Sequence, residues 1–225
     1  PSINVSEKFP EVLSANLKLE YFSPTGSFKD RGTSVLINQA YMNGIEEFAE
    51  DSSGNAGASM SAYAANIGMK AHIFTPNSTP ENKKNQIKIF GSELHLIDGP
   101  RENSTVAVKE FTKSTGINYL SHNYNPFFIE GMKSFGNEVF NEFHSDITDI
   151  VIPVGNGSLL IGAVKAYEEL IKSKKISKMP KMHCVQVEGF SPIVNKFNSL
   201  DWEFNELSKT LAGGIAVSNP PRLNQ

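Results

Sequence analysis

Apolar and polar residues alternate along this chain with two different periods, and stretches of each period follow one another. Residues 17–21 alternate one by one, like a half-buried strand, whereas the apolar positions of residues 33–42 recur at the spacing of a helix. The same succession of strand-like and helix-like stretches continues as far as residue 187. Such an order is typical of an α/β protein with a parallel sheet.

The remaining predicted elements are short and regularly spaced. Further strands are predicted over residues 46–50, 70–75, 93–97, 150–154 and 181–187. Helices are predicted over residues 33–42, 58–67, 80–90, 101–114, 129–143 and 158–171. No internal repeat or low-complexity linker interrupts the sequence, so a second domain would arise where the chain crosses over, and we expect that crossing at Asn125-Pro126.

Composition narrows the possible partners and the compartment. The 225 residues are 39% hydrophobic and 20% charged, which is ordinary for a soluble globular protein. The net charge of -3, without a basic cluster, argues against a nucleic-acid partner, and no apolar run is long enough to span a membrane. Cys184 is the only cysteine, which excludes an intrachain disulfide and fits the reducing cytoplasm.

The first stretch that suggests chemistry is residues 23–32, which place one lysine where a strand turns into a helix. Pro24 and Gly26 end the strand, so Lys29 is expected in the first helical turn. The positive end of the helix dipole disfavours a second positive charge there and eases loss of the lysine proton. A neutral amine is what Schiff-base chemistry requires. A surface lysine paired with Asp30 is the alternative.

A second informative loop follows the predicted strand 150–154 and opens a helix. It consists of Gly155, Asn156, Gly157 and Ser158. Glycines at a helix start let backbone N–H groups face an anion, so a phosphate is the natural ligand. The loop lacks the lysine of a P-loop and the spacing of a dinucleotide fingerprint, which argues against ATP and NAD. A simple tight turn is the alternative.

A third loop, residues 52–57, also lies between a predicted strand and a predicted helix. The hydroxyls of Ser52 and Ser53, with the N–H groups of the helix start, can hold a carboxylate, and Asn55 can donate to a phenolate oxygen. A helix cap followed by a glycine turn is the alternative. Together the three loops offer an amine, a phosphate site and a carboxylate site, each at a strand end where α/β proteins bind ligands.

In order and separation these three motifs resemble those of the fold-type II, tryptophan synthase beta-like, pyridoxal-phosphate enzymes. The motifs are residues 24–32, 52–57 and 155–158, and the resemblance continues through residues 212–216 and 219–222. Within that family the similarity is greatest to threonine synthase. The resemblance covers essentially all of the chain.

The resemblance implies an α/β fold of two three-layer domains with the cofactor in the cleft between them. The smaller domain would cover residues 23–134, and the larger would cover residues 1–22 plus 135–225. Because the chain starts at Pro1 and stops at Gln225, we expect it to be truncated at both ends. The family's partner for the pyridine nitrogen would then lie beyond Gln225.

The resemblance also implies roles for the motif residues. Lys29 would carry pyridoxal 5'-phosphate as a Schiff base, and Asn55 would bond the phenolic oxygen of the cofactor. The substrate carboxylate would lie against Ser52, Ser53 and Asn55. The cofactor phosphate would lie in the loop of Gly155, Asn156, Gly157 and Ser158.

The implied reaction is the conversion of O-phospho-L-homoserine and water to L-threonine and phosphate, with Lys29 moving the Cα proton. A related reaction, of the serine/threonine dehydratase or cysteine synthase type, is one alternative, and a non-catalytic fragment of the fold is another. We expect a cytoplasmic homodimer whose partner is a small amino-acid substrate rather than nucleic acid or membrane.

Two positions depart from the pattern expected of the family. Phe128 stands where those enzymes commonly carry an arginine that helps to hold the substrate phosphate. A phosphate needs charge-assisted donors, so Lys133 or another basic group must replace the arginine, or the leaving group is not a phosphate. Ala56 also stands where sulfhydrylase relatives often carry a threonine, which removes one hydroxyl from the carboxylate pocket.

No metal site is predicted. The histidines lack the paired spacing of common metal motifs, and each is expected to be a surface or capped core residue. They are His72, His95, His122, His144 and His183.

Overall fold

The computed structural model describes residues 1–52, 54–204 and 208–224, which form two compact units. The first unit consists of Pro1–Thr33 and Ile45–Tyr119, and the second of Ser34–Gly44 and Leu120–Gln225. These units are divided at other positions than the domains expected from the resemblance, residues 23–134 and 1–22 plus 135–225. The expected domain boundaries stay a prediction.

A four-stranded parallel sheet is the main sheet of the first unit. An antiparallel pair, β1 (Ser2–Asn4) and β2 (Asn16–Lys18), precedes it in the chain. The sheet itself has the order β5-β4-β3-β6 and consists of β3 (Glu47–Glu50), β4 (Lys70–Pro76), β5 (Glu93–Ile97) and β6 (Asn118–Tyr119). Strand β4 is buried from its second residue to its last, as expected for a parallel strand with neighbours on both sides.

Four α-helices begin among the described residues of the first unit. They are α1 (Lys29–Met42), α2 (Asn55–Asn66), α3 (Glu81–Lys88) and α4 (Arg101–Thr115). Gly116 takes a left-handed conformation at the end of α4, a common way to stop a helix. Helix α4 packs on one face of the sheet through a core of Ala49, Phe74 and Val108.

In the described part of the second unit, a parallel pair of strands is accompanied by three α-helices. The strands are β7 (Asp149–Pro153) and β8 (Lys181–Val185), and the helices are α5 (Pro126–Phe143), α6 (Ser158–Lys172) and α7 (Pro192–Phe197). Asn125 caps α5 by accepting a hydrogen bond from the backbone N–H of Phe127, and Pro126 occupies the first helical position. Asn125-Pro126 is therefore a helix start shortly after the boundary between the units.

Small residues let α5 and α6 pack closely. A Cβ atom on Gly162 would collide with Met132, and one on Gly136 would lie 2.8 Å from the Cβ of Ala166. These distances are shorter than real Cβ atoms keep from their neighbours, so glycine at both positions allows the two helices to approach each other. The pair thus forms a tightly packed layer beside β7 and β8 in the chain's second unit.

The expected α/β alternation is confirmed, with differences at element ends. The strand expected over residues 17–21 stops at Lys18 and gives way to a turn of 3-10 helix, Glu20–Phe22. Strand β6 has only two residues and α7 only six, too few for a periodic pattern to reveal them. Among the described residues, no helix combines the length and apolar character needed to cross a membrane.

Candidate active site

Lys29 is the first residue of α1, so the helix begins four residues before the apolar pattern that predicted it. The turn before it is ordered by short bonds, with the backbone N–H of Gly26 donating to the carbonyl of Ser23 over 2.8 Å. The backbone N–H of Lys29 itself donates to the hydroxyl of Ser27. The predicted turn and helix start are therefore present, with Lys29 as the first helical residue, but a 3-10 helix rather than a strand leads into the turn.

Burial gives Lys29 an unusual acidity. Desolvation of the ammonium lowers the pKa of Lys29 from 10.5 to about 8, against an opposing attraction from the carboxylate of Glu50 that raises it. With a pKa of about 8, roughly a tenth of the lysine is neutral at pH 7. Burial is the main cause of the shift, so Lys29 has an amine that can act as a nucleophile or a base near neutral pH.

Asp30, the residue after the lysine, is buried and accepts three hydrogen bonds. Its carboxylate accepts from the backbone N–H and the hydroxyl of Thr25, both over 2.7 Å, and from the hydroxyl of Ser59 over 2.5 Å. Thr25 belongs to the turn and Ser59 to α2. Asp30 therefore ties the turn that carries Lys29 to the helix that begins at Asn55.

The loop of residues 52–57 follows β3 and leads into α2. Ser52 is buried, whereas Ser53, expected on the substrate carboxylate, lies outside the described residues. A Cβ atom on Gly57 would collide with the backbone carbonyl oxygen of Ser52, so glycine allows the first turn of α2 to lie against the end of the loop. Helix α2 starts at Asn55, three residues before the predicted start, after Gly54 as its cap.

Asn55 has a charged partner that the sequence did not reveal. The ammonium of Lys83 in α3 donates to the side-chain oxygen of Asn55 over 2.8 Å. A lysine can only donate, so the amide oxygen must face it, and the amide NH2 of Asn55 is the group that can donate to a ligand. The two residues are 28 positions apart. No spacing within the sequence could indicate this contact.

Asp51 is, like Asp30, a buried carboxylate, and the sequence pattern did not predict its role. It accepts hydrogen bonds from the hydroxyls of Thr105, over 2.5 Å, and Tyr119, while Arg101 lies 3.6 Å away. Glu50, immediately before it, is fully buried. The available signal was a pair of consecutive acidic residues at the end of an apolar strand. Acidic residues are rarely buried unless they are paired, so this pair indicated partners elsewhere in the chain.

The glycine loop of the second unit joins β7 to α6. Gly157 has a φ of 86° and precedes Ser158, the first residue of the 15-residue helix α6. A Cβ on Gly155 would lie 3.2 Å from a methyl group of Val217, so the loop approaches a later segment of the chain closely. Backbone N–H groups in the first turn of a helix have no partner within the helix. This arrangement fits an anion.

A polar chain of contacts connects this loop to a basic residue. The side-chain NH2 of Asn156 donates to the side-chain oxygen of Asn123 over 3.3 Å, and the Nε of Arg222 donates to the backbone carbonyl of Asn123 over 2.8 Å. Burial lowers the pKa of Arg222 below its ordinary value. Arg222 is therefore a cation linked through one residue to the glycine loop.

The position of Phe128 bears on the substrate. Its side chain is fully buried, with its ring 5.7 Å from that of His122. Lys133, a possible substitute for the missing arginine, forms ion pairs with Glu130 at 2.5 Å and Glu169 at 2.8 Å. These bonds raise the pKa of Lys133. Lys133 is thus held between α5 and α6 by two carboxylates.

The expected site residues fall in both units. Lys29, Ser52 and Asn55 belong to the first unit. Gly155, Asn156, Gly157 and Ser158 belong to the second.

Comparison with known proteins gives a consistent family. A family profile described as "Pyridoxal-phosphate dependent enzyme" matches residues 5–225. The threonine synthase of Methanocaldococcus jannaschii is 31% identical over 221 residues, which are 96% of this chain and 54% of the relative. The threonine synthase of Bacillus sp. strain ULM1 is 32% identical over 98% of this chain and 60% of the relative. The chain thus spans about half to three-fifths of the length of these relatives.

Solved structures agree on the fold. Maize serine racemase matches with a TM-score of 0.83 and 21% identity, over 96% of this chain and 64% of that chain. O-ureido-L-serine synthase matches with a TM-score of 0.81 and 19% identity, over 99% of this chain and 68% of that chain. The expected fold class, that of the fold-type II enzymes, is confirmed.

Proposed function

Because the chain belongs to the pyridoxal-phosphate dependent enzyme family, we propose that it acts as a lyase of the threonine synthase type. The reaction is the conversion of O-phospho-L-homoserine and water to L-threonine and phosphate. The observation that carries the proposal is the half-buried Lys29 at the head of α1, whose pKa desolvation lowers to about 8. The similarity to threonine synthases named above supports the choice of substrate.

The donor groups of the chain fit pyridoxal 5'-phosphate. Lys29 supplies an amine for its aldehyde, and the amide NH2 of Asn55, oriented by Lys83, supplies a donor for its phenolic oxygen. The N–H groups at the start of α6 supply donors for its phosphate. When bound, the cofactor supplies an electron sink that makes the substrate Cα proton acidic.

Lys29 moves the proton in this proposal. Its Nζ, once free and neutral, takes the proton from the substrate Cα and later returns a proton to the product. A base of pKa about 8 suits this role at neutral pH, because an ordinary lysine of pKa 10.5 would be almost fully charged. The carboxylate of Glu50 keeps the shift from going further, since it favours the charged amine.

The substrate carboxylate is held at the start of α2. Asn55 is the first residue of this 12-residue helix, and Ser52 lies shortly before it; Ser53, proposed for the same role, is outside the described residues. Hydroxyl groups and N–H groups without helical partners are the donors that a carboxylate accepts from. This subsite fixes one end of the substrate and so directs its Cα towards the base.

Arg222 is the basic group that we propose for holding the phosphate of the substrate, in place of the arginine missing at Phe128. Lys133 is engaged by two carboxylates, whereas Arg222 is linked to Asn156 through Asn123. Guanidinium groups hold phosphate oxygens with directional, charge-assisted bonds. The variant R222K keeps the positive charge but loses the guanidinium geometry. We expect it to bind phosphate more weakly than the unmodified protein.

The cofactor link is tested with protein purified in the presence of pyridoxal 5'-phosphate. We expect a visible absorption band, and we expect borohydride reduction followed by peptide mapping to recover the adduct on the peptide of Lys29. The variant K29A should lose the adduct, while K113A, which removes an exposed lysine of α4, should keep it. An adduct on another lysine would overturn the assignment.

Three product assays distinguish the reactions open to this scaffold. Release of phosphate from O-phospho-L-homoserine would support the threonine synthase reaction. Release of a keto acid from threonine would instead favour a serine/threonine dehydratase, which the buried Phe128 at the arginine position favours as the second candidate. A cysteine synthase would release acetate from O-acetylserine and sulfide. Absence of all three products, in protein that carries the cofactor, would favour the non-catalytic alternative.

We also propose a homodimer that works in the cytoplasm. The family resemblance motivates the dimer, and the single cysteine motivates the reducing compartment. Sedimentation of the purified protein tests the first of these: a monomer at micromolar concentration would contradict it.

A further inference from the structure

A cluster of polar side chains lies at the amino ends of the strands in the first unit. We name it the amino-end cluster; its members are Glu47, Lys70, His72, Glu93 and His95. Glu47, Lys70 and Glu93 are the first residues of β3, β4 and β5. Strand pairing places His72 directly opposite Glu93, and Phe74 opposite His95. Side chains two residues apart share a face, so both histidines project from the same face as Glu93.

Three atoms of this cluster converge. The Nδ1 of His72 lies 3.1 Å from the Nε2 of His95. Each histidine nitrogen also faces one oxygen of the Glu93 carboxylate, His72 Nδ1 at 3.5 Å and His95 Nε2 at 3.6 Å. The three ligand atoms lie within 4.8 Å of one another.

The nitrogen–nitrogen separation of 3.1 Å and the nitrogen–oxygen separations of 3.5 Å and 3.6 Å, which reach different oxygens of Glu93, are close to those of a metal site. Nitrogen and oxygen ligands bind zinc at about 2.0–2.2 Å in a tetrahedron, so neighbouring ligand atoms lie about 3.3–3.5 Å apart. We propose that His72, His95 and Glu93 form a binding site for a divalent transition-metal ion of the zinc class. The side chains supply three ligands of one tetrahedron, and a water or another small ligand completes it.

Glu47 fixes the ring nitrogen that His72 offers. Its carboxylate lies 2.7 Å from the Nε2 of His72. A carboxylate accepts, so Nε2 carries the proton and Nδ1 keeps its lone pair towards His95 and Glu93. A carboxylate behind a histidine is the arrangement that commonly orients histidine ligands in metal sites. Metal binding then requires only that the proton of His95 reside on its Nδ1.

Aromatic packing holds both rings in place. The ring of His95 stacks on Phe74 with centroids 4.3 Å apart and planes 5° from parallel. Phe111 of α4 lies 4.9 Å from the ring of His72 and 5.4 Å from that of His95. The side chain of His72 is 4% exposed, that of His95 25% and that of Glu93 51%. The ligands are thus rigid on the protein side, and an ion can enter on the side of Glu93.

The local charge favours a cation. Two carboxylates, Glu47 and Glu93, share a single ammonium, that of Lys70. Lys70 is closer to Glu47, at 2.9 Å, than to Glu93, at 3.4 Å, and its side chain is 57% exposed. Because this long side chain is flexible, Lys70 can stay on Glu47 while Glu93 turns to the metal ion.

Two histidines and one carboxylate indicate the class of ion. Imidazole nitrogen suits zinc, cobalt, nickel and copper, whereas magnesium and calcium prefer an all-oxygen shell. Local spacing could not indicate this cluster, because His72 and His95 are 23 residues apart and meet only through the pairing of β4 with β5. The expectation that no metal site exists rested on local spacing alone.

Cobalt(II) is the most informative probe, since tetrahedral cobalt with nitrogen ligands absorbs visible light much more strongly than aqueous cobalt. The holoprotein is first treated with a chelator and then titrated with cobalt chloride. We expect a visible absorption that saturates at one ion per chain and is displaced by zinc. The melting temperature should rise with metal concentration, because the ion binds the folded protein.

Two variants remove ligands without large changes in packing. H95F keeps the ring stacked on Phe74 but removes the nitrogen, and E93Q keeps the size of the side chain but removes its charge. We expect both variants to lower metal affinity more than about 10-fold. E47Q, which loosens the orientation of His72, should lower it by about 10-fold.

Control variants identify binding elsewhere. His183 pairs with Asp149 at 2.7 Å, and Cys184 is the chain's only thiol, so H183Q and C184S test the other plausible metal ligands. Both should bind cobalt as the unmodified protein does. No tetrahedral cobalt spectrum in the unmodified protein, or a spectrum unchanged in H95F and E93Q, would overturn the proposal.

Discussion

Ionisable side chains lie at both ends of the four-stranded sheet in the first unit, but their burial and hydrogen bonding differ. At the carboxyl ends, Glu50 and Asp51 are buried, and Asp51 accepts hydrogen bonds from α4 and from Tyr119 of β6. At the amino ends, Glu47 and Glu93 stay partly exposed and share Lys70. The carboxyl end is a closed network, and the amino end is open on one side.

The two ends illustrate two ways in which a sheet can support a binding site: by a fixed buried network or by a cluster that can rearrange. A buried carboxylate with several donors cannot move without leaving a group unpaired, so it fixes the loops around it. Asp51 and Asp30 act in this way beside Lys29 and Asn55. A half-exposed cluster costs little to rearrange, so its ligands can accept an ion that arrives from solvent.

The largest expected effect is at the closed end. Replacement of Lys29 by alanine removes both the attachment point and the proposed base, and general acid–base catalysis alone contributes about 10²- to 10⁴-fold. We therefore expect K29A to lose at least about 100-fold in kcat for whichever substrate the protein turns over. Addition of a small primary amine to K29A, with partial recovery of the rate, would attribute the loss to the missing amine. Full activity in K29A would remove Lys29 from the reaction.

A stability measurement compares the two ends directly. D51A removes the carboxylate that accepts from the hydroxyls of Thr105 and Tyr119 at a partly buried place, and hydrogen bonds to charged groups contribute about 1.5–3 kcal/mol each. We expect D51A to lower the free energy of unfolding by about 3 kcal/mol. E93A, at the open end, should lower it by less than about 1 kcal/mol, because its ion pairs are exposed. Urea unfolding of both variants checks this, and equal losses would contradict the distinction between a closed and an open end.

The lowered pKa of Lys29 makes stability depend on pH in a defined window. Below about pH 8 the lysine is charged in both folded and unfolded chains, and the folded state carries the cost of a buried charge. Between about pH 8 and 10.5 the unfolded lysine holds a proton that the folded one has lost, so the contribution of Lys29 to stability rises with pH.

The variant K29M tests this dependence in protein freed of cofactor. At pH 7 it should be more stable than the parent by about 1–3 kcal/mol, because it removes the buried charge. The advantage should shrink as the pH rises from about 8 to 10.5. K113M, at an exposed lysine, should show no such change, and a constant difference for K29M would mean that the Lys29 ammonium is well solvated.

The sequence predicted the turns and helix starts of this fold better than its long-range contacts. Turn residues marked the helix starts at Lys29 and Ser158, because proline and glycine restrict the backbone locally. The network of Asp51 could not be predicted, since Thr105 and Tyr119 are brought to it from 54 and 68 residues away. Long-range contacts of this kind depend on sheet order, which local pattern does not specify.

The smallest effect concerns another such contact, between Lys83 and Asn55. Replacement of Lys83 by methionine removes the charged donor that orients the Asn55 amide, and hydrogen bonds to charged groups contribute about 1.5–3 kcal/mol. Part of this is recovered when water replaces the ammonium, so we expect cofactor affinity to fall by about 10-fold, with a shift in the visible absorption band. The neighbouring K84M, which removes an ion pair with Glu81 instead, should leave both unchanged. Equal cofactor affinity and equal absorption in K83M and K84M would mean that the start of α2 alone orients Asn55.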